Sequence, residues 1–290
     1  MIIFVSMKTY QQINLSEWTL AGEGYNGQAY LSEAHPGVML KLVRRELGAA
    51  HYVEKEFNAA KAAAAIGLPT PEVYEIVRDG EDHGYLCQAV EGKKSLARMC
   101  ADEPDRIPEI AAIMADYGHA LHNTPIPEGV NVPDMKALLK KAVEGSPLLS
   151  EAQRESLKAL VQAMPEDKTC LHGDFQPGNL IMAQGKPYWI DLGWLAQGCY
   201  KMDLAHLYKM MVVDSKIPQV QDLTHMTQEQ MVAFWDAFAK AYTGSKDVEA
   251  LNRDLRPYAA VDLVRTFYLH SSDNPAFLAF LKGIVEMLLD

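Results

Sequence analysis

Asp174 and Asn179, five residues apart in His172-Gly173-Asp174-Phe175-Gln176-Pro177-Gly178-Asn179, are the residues of this chain best suited to chemistry. Asp174 can accept or orient a hydroxyl proton, and Asn179 offers an amide oxygen to a hard cation such as magnesium. Pro177-Gly178 bends the chain so that both side chains can point the same way. Twelve residues after Asn179 stands Asp191, at the end of the apolar run Tyr188-Trp189-Ile190, where a carboxylate suits a second magnesium contact. Upstream, Lys41 interrupts the apolar stretch Val38-Met39-Leu40 and Leu42-Val43. An unpaired ammonium is costly there. A cation at that place suits the α- and β-phosphates of a nucleotide, held by a carboxylate of the next helix; Glu56 is the first choice and Glu54 the second. Gly22-Glu23-Gly24-Tyr25-Asn26-Gly27 is a G-x-G-x-x-G, in which Gly22, Gly24 and Gly27 let backbone amides approach phosphates. Strand-like residues follow it, which favours a hairpin covering phosphates over a dinucleotide turn. Phosphoryl transfer needs these parts: phosphates cradled, metal held, a nucleophile aimed and charge neutralised.

The elements that must position these residues divide at about residue 90. The first ninety residues read as strands broken by one helix. Trp18–Ala21 and Gln28–Leu31 flank the glycine cluster as a hairpin, and Val38–Val43 continues the sheet. An alanine-rich helix over 49–66 stops at Gly67, with Pro69 and Pro71 beyond it. Val73–Val77 and Gly84–Val90 form a second hairpin around Arg78–Asp82. After Gly92 the periodicity becomes helical. Ile110, Ile113, Met114, Tyr117 and Leu121 share one face, as do Leu157, Leu160, Val161 and Met164. Capping boxes open helices at Ser150 with Gln153 and at Thr227 with Gln230. One short strand pair, 180–182 and 188–190, turns at Gln184-Gly185.

The bulk numbers exclude several classes. With 290 residues, the chain is long enough for two modest domains. No apolar run reaches the length of a membrane span. The apolar start Met1–Val5 lacks a secretory leader's basic flank and length, and Met7 is a second candidate start, so a cytoplasmic protein is expected. Cys87, Cys100, Cys170 and Cys199 are too widely spaced for a zinc or dithiol motif and read as reduced, buried thiols. A net charge of −11 argues against nucleic acid and is compatible with a cationic small molecule.

At these residues the chain resembles the aminoglycoside phosphotransferase and choline kinase family, small-molecule relatives of the protein kinases. The H-G-D-x-x-x-x-N motif falls on His172, Gly173, Asp174 and Asn179. The metal aspartate that follows falls on Asp191, and the strand lysine on Lys41. Glu56 stands ahead of Gly67-Leu68-Pro69-Thr70-Pro71, the stretch that closes the family's first helix. Gln88-Ala89-Val90-Glu91-Gly92 is similar to the linker whose backbone holds the base, which implicates Gln88 and Val90. Asp203 resembles the structural aspartate after the metal loop, and His172 then reads as loop scaffold, not base.

The resemblance covers roughly residues 15 to 210. Gln176 stands where many members carry histidine, which removes no reactive group. The resemblance implies an α+β, two-lobed protein-kinase-like fold. Residues 1–90 would be a small antiparallel-sheet nucleotide lobe, with the hinge near 88–92, and residues 91–290 a mostly helical lobe with the catalytic loop and acceptor site. It implies ATP or GTP and Mg2+ as cofactors. The expected activity is transfer of the γ-phosphoryl group to a small-molecule hydroxyl, with choline, ethanolamine, homoserine or a sugar as alternatives to an aminoglycoside. A protein kinase would need an Ala-Pro-Glu-like anchor within 211–226, which holds none. A non-catalytic nucleotide-binding module would be expected to lack a reactive residue, and none is missing.

Overall fold

The computed structural model describes residues 10–23, 27–43 and 49–290. Its chain forms two units. One runs to Lys93 and takes in Ala183–Gly193; the other comprises Lys94–Met182 and Trp194–Asp290.

Period-2 alternation builds the first unit. Its strands are β1 (Gln11–Gln12), β2 (Thr19–Glu23), β3 (Gly27–Leu31), β4 (Val38–Val43), β5 (Val73–Asp79) and β6 (Asp82–Gln88), in the sheet order β1-β5-β6-β4-β3-β2. Pairings among β2 to β6 are antiparallel, whereas β1 runs parallel to β5, so the sheet expected to be antiparallel is mixed at one edge. Leu40 and Leu42 pack with Trp18, Tyr30 and Val77 on one face. Side chains alternate along a strand, so Lys41 shares the opposite face with Val43. Val43 packs there with Tyr85, Cys87 and, from helix α1 (Ala49–Ile66), Val53 and Phe57. Glu56, beside Phe57, is thereby buried on the helix that covers the Lys41 face. Gly27 pairs with Val43, and a Cβ added there would lie 2.0 Å from the Leu42 carbonyl oxygen. Close approach of β3 to β4 is a sufficient reason for that glycine.

Helices dominate the second unit: α2 (Leu96–Asp102), α3 (Ile107–His122), α4 (Met135–Gly145), α5 (Glu151–Ala163), α6 (Lys201–Tyr208), α7 (Pro218–Thr224), α8 (Gln228–Thr243), α9 (Val248–Leu269) and α10 (Pro275–Leu289). Its short strands are β7 (Lys94–Ser95), β8 (Cys170–Leu171), β9 (Leu180–Ala183) and β11 (Ala196–Gln197); β10 (Lys186–Trp189) lies in the first unit. Both expected capping boxes form, at α5 and α8. α3 packs along α8 and α6 along α9. Met114 and Leu121 of α3 and Phe234 and Phe238 of α8 are fully buried. Phe175 is buried against Gly118 of α3 and Phe238, and so anchors the loop after β8 on this helix pair. The four cysteines are buried and unbonded. Among the described residues, no helix is long and apolar enough to cross a membrane.

Candidate active site

In the sheet unit, Lys41 Nζ lies 2.5 Å from Glu56 Oε1 and 2.6 Å from Asp191 Oδ1. Burial disfavours the ammonium, but the charges of Asp191 and Glu56 outweigh it and lift the Lys41 pKa well above the ordinary lysine value. Glu54, the second-choice partner, instead accepts a hydrogen bond from the Tyr10 hydroxyl. Glu56 Oε2 is buried and has no partner among the described residues. Asp191 adopts a left-handed backbone with φ of 55°. That conformation costs energy for a residue with a side chain, and such strain concentrates at functional sites.

Of the glycine loop, Gly22 ends near the tip of β2 with open space where a Cβ would be, and Gly27 begins β3. Gly24 lies outside the described residues. Gln88 closes β6, its amide donating to the Glu72 carbonyl at 2.7 Å. Val90 follows it, half-buried and outside any element.

In the helical unit, β8 pairs with β11 and delivers the chain to the 172–179 loop. Asp203, buried in the first turn of α6, accepts the amide of His172 at 2.7 Å and that of Gly173 at 2.9 Å. Its Oδ2 also lies 3.1 Å from His122 Nε2 of α3. Burial disfavours the Asp203 carboxylate, but His122 and these donors hold its pKa below the ordinary value. Gly173 has φ of 78°, and a Cβ there would sit 2.1 Å from the Trp194 carbonyl oxygen. The Asp174 amide donates to His172 Nδ1 at 3.3 Å, so the buried His172 ring serves the loop's own geometry.

The Asp174 carboxylate is one-third exposed, at 32%. Asn179 Nδ2 donates to Asp174 Oδ2 at 2.8 Å and to its carbonyl oxygen at 2.9 Å. These bonds use the amide nitrogen and leave the amide oxygen as the group to offer a cation. Asp174 Oδ1 lies 3.0 Å from His206 Nε2 of α6, and His206 Nδ1 lies 3.0 Å from Asp262 Oδ2 of α9. Arg265 in turn donates to Asp262 Oδ1 from Nε at 3.1 Å and from its terminal nitrogen at 2.7 Å. Burial opposes charge on Asp174, His206 and Asp262. The bonds and opposite charges prevail: Asp174 and Asp262 are held well below the ordinary carboxylate range, and His206 is raised to about 9.

The motif reading passed over His206 and Asp262. One signal was available. Asp262 and Arg265 are charged residues three apart inside Ala259-Ala260-Val261-Asp262-Leu263-Val264-Arg265, the pattern of a buried helical ion pair. Nothing local marks its partner His206.

Carboxylates that could attract a cationic acceptor are mostly answered or exposed. Asp214 is buried against Lys209 at 2.8 Å, and Asp236 pairs with Lys240. Asp222, Glu229 and Asp290 are exposed. Among the described residues, no three His, Cys, Asp or Glu side chains form a metal-binding group. Within the helical unit Asn179 offers an amide oxygen, and within the sheet unit Asp191 offers a carboxylate oxygen; each is a donor type that suits a hard cation.

Residues 17–241 match the model of the phosphotransferase enzyme family. No curated protein sequence matches. Among solved structures, an amicoumacin kinase in complex with AMP-PNP and Ca2+ shares 12% identity at a TM-score of 0.60, covering 96% of this chain and 90% of that one. A choline/ethanolamine kinase family protein from Mesorhizobium loti shares 14% identity at a TM-score of 0.58, covering 94% and 86%. The GDP complex of an aminoglycoside 2'-phosphotransferase shares 18% identity at a TM-score of 0.55, covering 98% and 93%. The fold is protein-kinase-like, with a mixed sheet in the N-terminal lobe and a helical C-terminal lobe.

Proposed function

Because the chain belongs to the phosphotransferase enzyme family, we propose that it is a small-molecule kinase, moving the γ-phosphoryl group of ATP or GTP to an acceptor hydroxyl. The observation that carries this reading is the 172–179 loop, where a one-third-exposed Asp174 carboxylate meets the Asn179 amide at 2.8 Å. Asp174 receives a hydrogen bond from the acceptor hydroxyl and aims its oxygen. Lys41, held by Glu56, neutralises the nucleotide's α- and β-phosphates. Gly22, Gly24 and Gly27 let backbone amides reach the phosphates, and the 88–90 backbone holds the base. Asn179 and Asp191 would hold Mg2+, which supplies charge neutralisation on the phosphates when bound.

The acceptor is a small hydroxylated molecule, not nucleic acid or a membrane. Four buried, unbonded cysteines fit a reducing cytoplasm. The test is Mg2+-dependent transfer from ATP and from GTP to a panel of aminoglycosides, choline, ethanolamine, homoserine and sugars. D174A is expected to lose about 10²–10⁴-fold in turnover while still binding nucleotide. Unchanged turnover in D174A, or no transfer to any acceptor, overturns the assignment.

A further inference from the structure

His206 lies between two carboxylates, 3.0 Å from Asp174 Oδ1 and 3.0 Å from Asp262 Oδ2. A neutral imidazole donates from one nitrogen only, so its other nitrogen would face a carboxylate lone pair to lone pair. With both carboxylates ionised, only the doubly protonated ring satisfies both ends. Such a ring has no lone pair left and cannot take a proton from substrate. It can hold a neighbour still.

We propose that His206 is the positioning residue of Asp174: braced by Asp262 and Arg265, it clamps Oδ1 and leaves Oδ2, shared with Asn179, to receive the acceptor hydroxyl. This rests on the kinase reading given above. The groups around the ring are Asp174 of the loop with His172 behind it, Asp262 and Arg265 of α9, and Lys209 one turn along the same helical segment, near Asp262. The ring is 14% exposed, so solvent screens the pairs weakly. Held at Oδ1 by His206 and at Oδ2 by Asn179, the Asp174 carboxylate is fixed in orientation, suited to aiming a hydroxyl in a reaction that asks little covalent chemistry of the protein.

Two variants separate positioning from simple tethering of α6 to α9. Glutamine places its amide near the Nε2 position and keeps the donor to Asp174. Asparagine places its amide near Nδ1 and keeps the donor to Asp262. H206N is expected to lose about 10–100-fold in kcat with the nucleotide KM unchanged. H206Q is expected to be at least tenfold more active than H206N. The reverse order, or equal losses, overturns the proposal.

A second measurement needs neither activity nor a variant. In wild-type protein with 15N-labelled histidine, NMR should show both His206 ring nitrogens protonated at pH 7, titrating near pH 9. A neutral ring at pH 7 overturns the proposal. Absence of transfer by the wild type, with the imidazolium present, overturns the kinase reading instead.

Discussion

Lys41 and Asp191 are separated by 150 residues of sequence, yet Lys41 Nζ lies 2.6 Å from Asp191 Oδ1. The pairing depends on residues 183–193 belonging to the sheet unit. Glu56 completes it from the helix that covers the same face of the sheet. One ammonium thus answers two carboxylates, one of them almost wholly buried.

Removing that ammonium leaves Glu56 buried without a cation. K41M is expected to lose about 3–5 kcal/mol of stability, the usual consequence of breaking a buried pair from one side. K41M/E56Q should recover part of the loss, since the uncompensated charge is gone. Urea unfolding of the two variants measures it, and equal midpoints would count against the pair as described.

Gly173 has no room for a side chain. G173A must place a Cβ against the Trp194 carbonyl oxygen while holding φ near 78°. Left-handed backbone costs about 1–2 kcal/mol for an alanine, and the clash adds to it. The variant is expected to be destabilised by about 2 kcal/mol or more, with turnover reduced because Asp174 follows directly. Chemical denaturation and kcat at saturating nucleotide test both parts.

Protonation of His206 links stability to pH. Its folded pKa is about 9 against an ordinary value of 6.5. The group binds its proton more tightly when folded, so its contribution is complete below about pH 6.5 and disappears as pH rises through about 9. Thermal melts from pH 6 to 10 should show Tm falling over the alkaline part of that range. H206N should show a smaller alkaline fall. A wild-type Tm that rises from pH 7 to pH 9.5 would contradict the sign.

Much of the site could be read from local pattern. The Asp174–Asn179 spacing, the lysine in an apolar strand, and the helix stopped by Gly67 are short-range signals, since turns, alternation and helix caps depend on neighbouring residues. The choice of Glu56 over Glu54 needed more. Both lie on α1, and only the packing of Val53 and Phe57 against the sheet sets which carboxylate faces Lys41.

The sequence by itself determined the candidate groups, their order and the elements that carry them. Tertiary structure alone decided the shared roles. Asp203 turns its carboxylate on the amides of His172 and Gly173 from 30 or more residues downstream. His206 and Asp262 meet across 56 residues only because α6 packs along α9. Hydrogen bonds of this kind join residues through space, and no local periodicity records them. Their protonation follows as well, because burial and neighbouring charge exist only once the chain is folded.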